Sequence, residues 1–358
     1  FNAASENLNK ILAIVDDRVR NREGIKAIRA IGGIYLPQRP YSRYSVLVDF
    51  VDACFLRGRI ENVASIYQKT LTEARAAESR AVLVRLLLRY ANLLGFSNQS
   101  EQVGLLRDEA RQAIELVQTG EQRELLRKLG DDYLADRSYV EAEKVYLKLV
   151  DKDEFDPLEA HQLVLDRLRL AYSYLLEHKD EKAFALYDRA LADTSSAIDT
   201  YEGRRVLRSY ANALMLRGRY QEANAHLVKL LSIYTKTNNP MRQATVGVEL
   251  AKCLLGQGKP NEAKEMIDLS RARFTSVKFG PLQQESRIYE EAKFYRNCAR
   301  IETGLGNEKG AADLQARAKK LTDSLTAGTL IKLILFDRDD RIVESNLDDE
   351  VALLYKSS

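Results

Sequence analysis

Apolar residues recur three and four positions apart through most of the chain, the spacing of helices with one buried face. Near the start, Leu8, Ile11, Leu12, Val15 and Val19 trace one such helix, and the stretch GIKAIRAIGGIYL predicts a second after it. Within the helical pattern, small residues stand at measured intervals. In residues 205–227, RVLRSYANALMLRGRYQEANAHL, they are Ala211, Gly218 and Ala223. In residues 129–149, LGDDYLADRSYVEAEKVYLKL, Leu129 and Gly130 are followed by Tyr133, Tyr139, Ala142, Tyr146 and Leu149.

Other segments share the frame. Ala171, Tyr174, Ala183, Tyr187 and Ala190 fill it in one, Ala251, Gly258, Ala263 and Ile267 in another, and Gly58, Val63, Tyr67 and Leu71 more loosely in a third. The small residue that opens the second helix recurs at Val63, Val103, Ala142, Ala183, Ala223, Ala263 and Ala311, with separations of 40, 39, 41, 40, 40 and 48. Amphipathicity alone gives no reason for a period near 40, so the chain reads as an array of repeats. Two antiparallel helices that cross closely need Ala or Gly where their backbones meet, and a larger side chain one turn on fills the adjoining hole.

On these residues the chain resembles the tetratricopeptide repeat family in a long-repeat form, through L-G-x2-Y followed by A-x3-F/Y. The resemblance implies an all-α fold: a right-handed superhelical solenoid of antiparallel helix pairs, with about seven repeats over residues 45–324. Similar long arrays occur in kinesin light chains, maltose-type bacterial regulators and bacterial quorum-peptide receptors. This chain departs from the family in having no Trp, in lacking the proline that often closes a repeat, and in a period longer than 34. An ordinary helical bundle, or HEAT or armadillo repeats, are the alternatives; neither accounts for the L-G-x2-Y spacing.

Asp156-Pro157, Asn239-Pro240 and Gly280-Pro281 look like helix starts, where the missing proline N–H costs nothing. Gly218 and Gly258 are expected at the turns between paired helices. The segment TSVKFGPLQQ, residues 275–284, is the expected cause of the one 48-residue interval. Residues 1–44 are expected to form a helical cap or degenerate repeat. Residues 325–358 are expected to form a tail or capping element, and TLIKLILFDRDDRIVES within them suits a hairpin or a final helix. Asp337, Asp339, Asp340, Glu344, Asp348, Asp349 and Glu350 make that tail acidic.

Composition narrows the class. With 45% hydrophobic and 30% charged residues and a formal charge of +3 over 358 residues, the chain can build a core,. Any electrostatic role must come from how charge is distributed. Cys54, Cys253 and Cys298 lie far apart without a CxxC, the pattern of buried reduced thiols rather than a disulfide frame or zinc site,. A cytoplasmic location is the matching expectation. No apolar run reaches the roughly 20 residues of a membrane-spanning helix. The chain opens at Phe1, and a removed leader, anchor or upstream domain is an expectation consistent with that.

Candidate chemistry is thin. His161, His178 and His226 fall in three different repeats with no metal-ligand spacing,. GLGNEKG, residues 304–310, lacks the preceding strand and the Gly-Lys-Ser/Thr ending of a phosphate loop and sits where the array expects a turn. Asn98 opens one N-x-S sequon. Neither an enzyme nor a metal or cofactor is expected.

What remains is a binding surface. In the family that this chain resembles, exposed positions on the first helix of each pair line a concave groove. Those positions are Arg85, Arg89 and Asn92; Arg127, Lys128 and Asp131; Arg169 and Tyr172; Arg205, Arg208 and Asn212; Lys252; and Lys293, Arg296 and Arg300. Most are basic. Family members that grip a C-terminal carboxylate place a basic residue and an Asn four apart, as Arg208 and Asn212 are. A guanidinium can chelate a carboxylate while Asn bonds a peptide backbone. The expectation is a non-catalytic scaffold or adaptor for protein–protein interaction, holding a peptide or protein segment of acidic character. A nucleic-acid-binding array, with Arg on phosphates and Tyr stacking on bases, and the sensor portion of a larger regulator are the alternatives.

Overall fold

The structure is a computed structural model that describes residues 60–76, 80–95, 100–150, 160–277 and 284–324. The expected N-terminal cap, Cys54, the Asn98 sequon, the two Pro junctions at 157 and 281 and the C-terminal tail lie outside these residues. Among the described residues the regular structure is entirely helical: thirteen α-helices and one 3-10 turn. The chain divides into two compact units, Phe1–Leu129 and Gly130–Ser358.

In the first unit, α1 (Ile60–Ala76), α2 (Arg80–Gly95) and α3 (Ser100–Ile114) pack in sequence, and α4 (Thr119–Ala135) begins. Tyr67 of α1 stacks on Tyr90 of α2 with ring centroids 4.9 Å apart. Ala91 and Val103, the small positions of this repeat, are buried at the crossing. Arg75 of α1 donates through Nε and Nη2 to Glu109 of α3, at 2.7 and 2.6 Å.

The second unit starts within α4 and continues through α5 (Tyr139–Val150), α6 (Ala160–Leu176), α7 (Asp180–Asp193), a 3-10 turn (Ser195–Ala197), α8 (Tyr201–Leu216), α9 (Tyr220–Lys236), α10 (Pro240–Gly256), α11 (Pro260–Thr275), α12 (Gln284–Gly304) and α13 (Glu308–Asp323). The repeats are the pairs α6/α7, α8/α9, α10/α11 and α12/α13, and each second helix also packs on the first helix of the next pair. Ala142, Ala183, Ala223, Ala263 and Ala311 are all at most 2% exposed, so the series read from the sequence is the series of helix crossings. Gly130 shows why such positions stay small: a Cβ there would stand 2.6 Å from the Tyr146 ring. The larger residue four positions on is aromatic at Tyr146 and Tyr187, whereas Leu227 and Ile267 do the same filling in later repeats.

A second periodic feature marks the turns. Five residues before each of these alanines, the backbone is left-handed: Arg137 (φ 61), His178 (φ 59), Gly218 (φ 72), Gly258 (φ 73) and Gly306 (φ 76). In every case the next residue's N–H reaches back to the carbonyl five positions before it, as Ser138 to Tyr133, Lys179 to Tyr174 and Arg219 to Leu214. These are Schellman caps, which satisfy the last carbonyls of the first helix and reverse the chain in three residues.

Pro240 is the first residue of α10, and the Asn239 side chain caps it by accepting from the Arg242 N–H at 3.1 Å. GLGNEKG is the α12–α13 turn, with Asn307 as the cap accepting from the Gly310 N–H. The long interval has two sources rather than the loop alone. Residues 276–283 join α11 to α12 where 237–239 suffice between α9 and α10, and α12 is itself 21 residues against 17 for α10. Phe274 of α11 stacks on Phe294 of α12 at 4.1 Å, which fastens that junction.

Candidate partner-binding face

The candidate binding residues all lie on first helices of pairs, and counting from the small residue of each first helix puts them in register. Asn92, Asp131, Tyr172, Asn212, Lys252 and Arg300 each follow that residue, at Ala91, Gly130, Ala171, Ala211, Ala251 and Ala299. Arg127, Arg208 and Arg296 stand three before it, and Arg89, Lys128 and Arg169 stand two before it.

In the first unit, Arg85 of α2 pairs with Glu121 (3.2 Å) and Glu124 (3.9 Å) of α4. Lys128 is exposed and lies 3.8 Å from Glu124. Arg89, Asn92 and Arg127 are half-buried and engaged with other groups.

In the second unit several of the expected groove positions are closed. Tyr172, Arg205, Arg208 and Lys293 are buried, which corrects the expectation that they stand exposed to a ligand. Two of the arginines on this face, Arg169 and Arg208, are held by carboxylates of a neighbouring first helix, and Arg205 and Lys293 by groups on their own helices. Arg169 of α6 donates through Nε to Asp131 of α4 at 2.9 Å and lies 3.8 Å from the fully buried Asp166, while the Tyr146 hydroxyl also donates to Asp131. Burial alone lowers the Arg169 pKa, but Asp131, Tyr146 and Asp166 outweigh it and raise it. Burial first, and then Asp131, push the Tyr146 phenol well above its usual range, so it stays a donor.

Arg208 of α8 grips Glu249 of α10, Nε at 3.0 Å and Nη2 at 2.6 Å. This is the chelated carboxylate that the Arg208–Asn212 spacing suits, supplied by the chain itself. Arg205 donates to the Tyr201 hydroxyl at 2.6 Å, and Lys293 donates to Glu290 at 3.3 Å. The acidic partners of Arg85, Arg169 and Arg208 sit 36, 38 and 41 residues away, on another helix, where a single helix read alone does not show them.

One cation on α10 and one on α12 stand apart from this pairing. Lys252 is exposed and Arg296 half-buried, and among the described residues neither has an ion-pair partner. Arg300 is exposed, one turn after Arg296, with Nη1 at 3.5 Å from Asn297 Oδ1. With the half-buried Asn212 on α8, these residues hold equivalent or one-turn-shifted positions on three successive first helices, one polar row by register.

No other chemistry is assembled nearby. Among the described residues no three His, Cys, Asp or Glu side chains are placed to hold a metal ion, and no helix is long and apolar enough to cross a membrane. Cys253 and Cys298 are buried free thiols, each pushed by burial up to about 12, too high to supply a thiolate nucleophile at neutral pH,. His178 is one of the left-handed turn residues, and His226 stacks on Tyr210 at 4.7 Å.

Close-crossing pairs, one-repeat spacing and the repeated Schellman turn define a tetratricopeptide-like helical repeat protein. No family model and no curated protein matches the chain. Solved structures do align with it. A signal-transduction ATPase with a tetratricopeptide repeat sensor from Pyrococcus horikoshii is 14% identical with a TM-score of 0.49, over 91% of this chain and 49% of that one. The apo form of RapI is 11% identical, TM-score 0.47, over 79% and 98%. A putative kinesin light chain of tetratricopeptide-like repeats from Podospora anserina is 19% identical, TM-score 0.43, over 56% and 92%.

Proposed function

We propose that the protein is a non-catalytic scaffold that binds an acidic segment of a partner protein, and that the contact runs along Asn212, Lys252, Arg296 and Arg300. The observation that carries this reading is the uneven use of charge in the second unit. Arg169, Arg208 and Lys293 are held by carboxylates of the same chain, whereas among the described residues Lys252 and Arg296 are not. Asn212, itself engaged within the chain, borders the same row. Binding then depends on two or three cations, a fit to a short acidic stretch. A phosphate backbone held in many places needs a longer unpaired basic stripe than this face provides.

The test is selection of peptides from a displayed random library on the full chain, counter-screened on Lys252→Glu/Arg296→Glu. Acidic sequences that bind the parent and lose at least tenfold on the double variant support the reading. Selected peptides that bind both proteins equally overturn it.

A further inference from the structure

The row that Lys252, Arg296 and Arg300 form has a candidate occupant in the same chain. Residues 337–350, DRDDRIVESNLDDE, carry Asp337, Asp339, Asp340, Glu344, Asp348, Asp349 and Glu350 against Arg338 and Arg341, a net charge of −5. They lie outside the described residues, and the last described helix fixes where they start from. α13 ends at Asp323 and pairs with α12. At 1.5 Å per residue its 16 residues span about 24 Å,. The α12–α13 turn, Leu305–Asn307, follows Arg300 by one helical turn and a half, so the distance from the end of α13 back to Arg300 is of that order. The chain between Asp323 and Asp337 can extend to about 45 Å at roughly 3.3 Å per residue. Reach is therefore no obstacle.

Charge points the same way. Two arginines on first helices of the second unit are answered by carboxylates about one repeat away, Arg169 by Asp131 and Arg208 by Glu249. Among the described residues Lys252 and Arg296 are not answered in that way. A tethered acidic segment is present at an effective concentration of roughly millimolar. Tethering favours contacts that would be too weak to hold the same segment as a free peptide at micromolar concentration.

We propose that residues 337–350 act as an intramolecular ligand for the Lys252–Arg296–Arg300 face, so that an acidic partner must displace them. The proposal rests on the reading of that face as the binding surface and adds a regulator to it. The probe is a fluorescein-labelled synthetic peptide of residues 337–350, titrated into the full chain and into a chain truncated after residue 336 and followed by anisotropy. The truncated chain is expected to bind the peptide at least fivefold more tightly than the full chain, and to lose that binding at least tenfold on Lys252→Glu/Arg296→Glu.

A second variant guards against a folding defect in the truncation. The full-length chain with its seven tail carboxylates changed to the amides is expected to bind the probe as the truncated chain does. Equal binding by full, truncated and amidated chains, or none by any of them, overturns the proposal. If it fails while library-selected peptides still lose affinity on the double charge reversal, the binding face stands without the intramolecular ligand.

Discussion

Arg208 on α8 and Glu249 on α10 form a two-nitrogen ion pair that joins the first helices of neighbouring repeats, with the guanidinium 7% exposed and the carboxylate 21% exposed. The pair turns a plausible ligand-gripping arginine into a structural one. It therefore predicts stability effects rather than binding effects. Glu249→Ala removes the carboxylate that chelates this buried guanidinium and is expected to cost about 3–5 kcal/mol. Arg208→Met/Glu249→Leu, which removes both charges, should recover most of that. Calorimetric melts of the two variants check it; equal losses in both would show that the charge pairing is not what matters.

The repeated left-handed turn gives a second prediction. A residue with a Cβ in this conformation is strained by about 1–2 kcal/mol, while glycine is not. His178 is exposed and adopts φ 59, so His178→Gly should raise stability by about 0.5–1 kcal/mol. Gly258→Ala should lower it by about 1 kcal/mol, and since a Cβ there meets nothing within 4 Å, the loss is conformational alone. Opposite shifts in the two melting temperatures are the expected result.

Gly247 tests the close crossing of α10 and α11. A Cβ at this position would stand 2.1 Å from Ser270 Oγ and 3.3 Å from Ser270 Cβ. Gly247→Ala is expected to destabilise by about 1–3 kcal/mol through overpacking. Adding Ser270→Ala removes the hydroxyl that clashes and should restore about half or more of the loss. A double variant as unstable as the single would place the strain elsewhere.

His226 predicts a pH dependence. Burial and then Lys229 hold its imidazole below the ordinary value, against Asp188 and Glu222, which raise it, and its ring lies on Tyr210. The unfolded chain therefore binds the proton more tightly than the folded one. Stability is full above the ordinary histidine value near 6.5 and falls as pH drops below it toward the lower folded value. Chemical unfolding between pH 5 and 7.5 should show this slope, and His226→Gln should flatten it.

The helix pairs were legible because their determinants are local: Ala142, Ala183, Ala223 and Ala263 recur at one spacing, and the glycines at 218 and 258 mark two turns. Arg137 and His178 occupy the same turn geometry without a glycine, so their role showed only in the backbone. The register of these first-helix positions was legible, and their charge partners were not. Arg208 looks available beside Asn212 because its partner, Glu249, is one repeat further on and belongs to another helix. Glu121 answers Arg85 and Asp131 answers Arg169 over similar separations. Matching each cation to an acid one repeat away is the signal that could have found these pairs before the coordinates did.

The most direct test of the account compares two charge reversals against one library-selected acidic peptide by isothermal titration. Lys252→Glu/Arg296→Glu is expected to weaken binding at least tenfold, and Arg85→Glu, whose arginine is already paired within the first unit, less than twofold. Loss of affinity in Arg85→Glu with none in the double variant would contradict the assignment of binding to the α8–α10–α12 row.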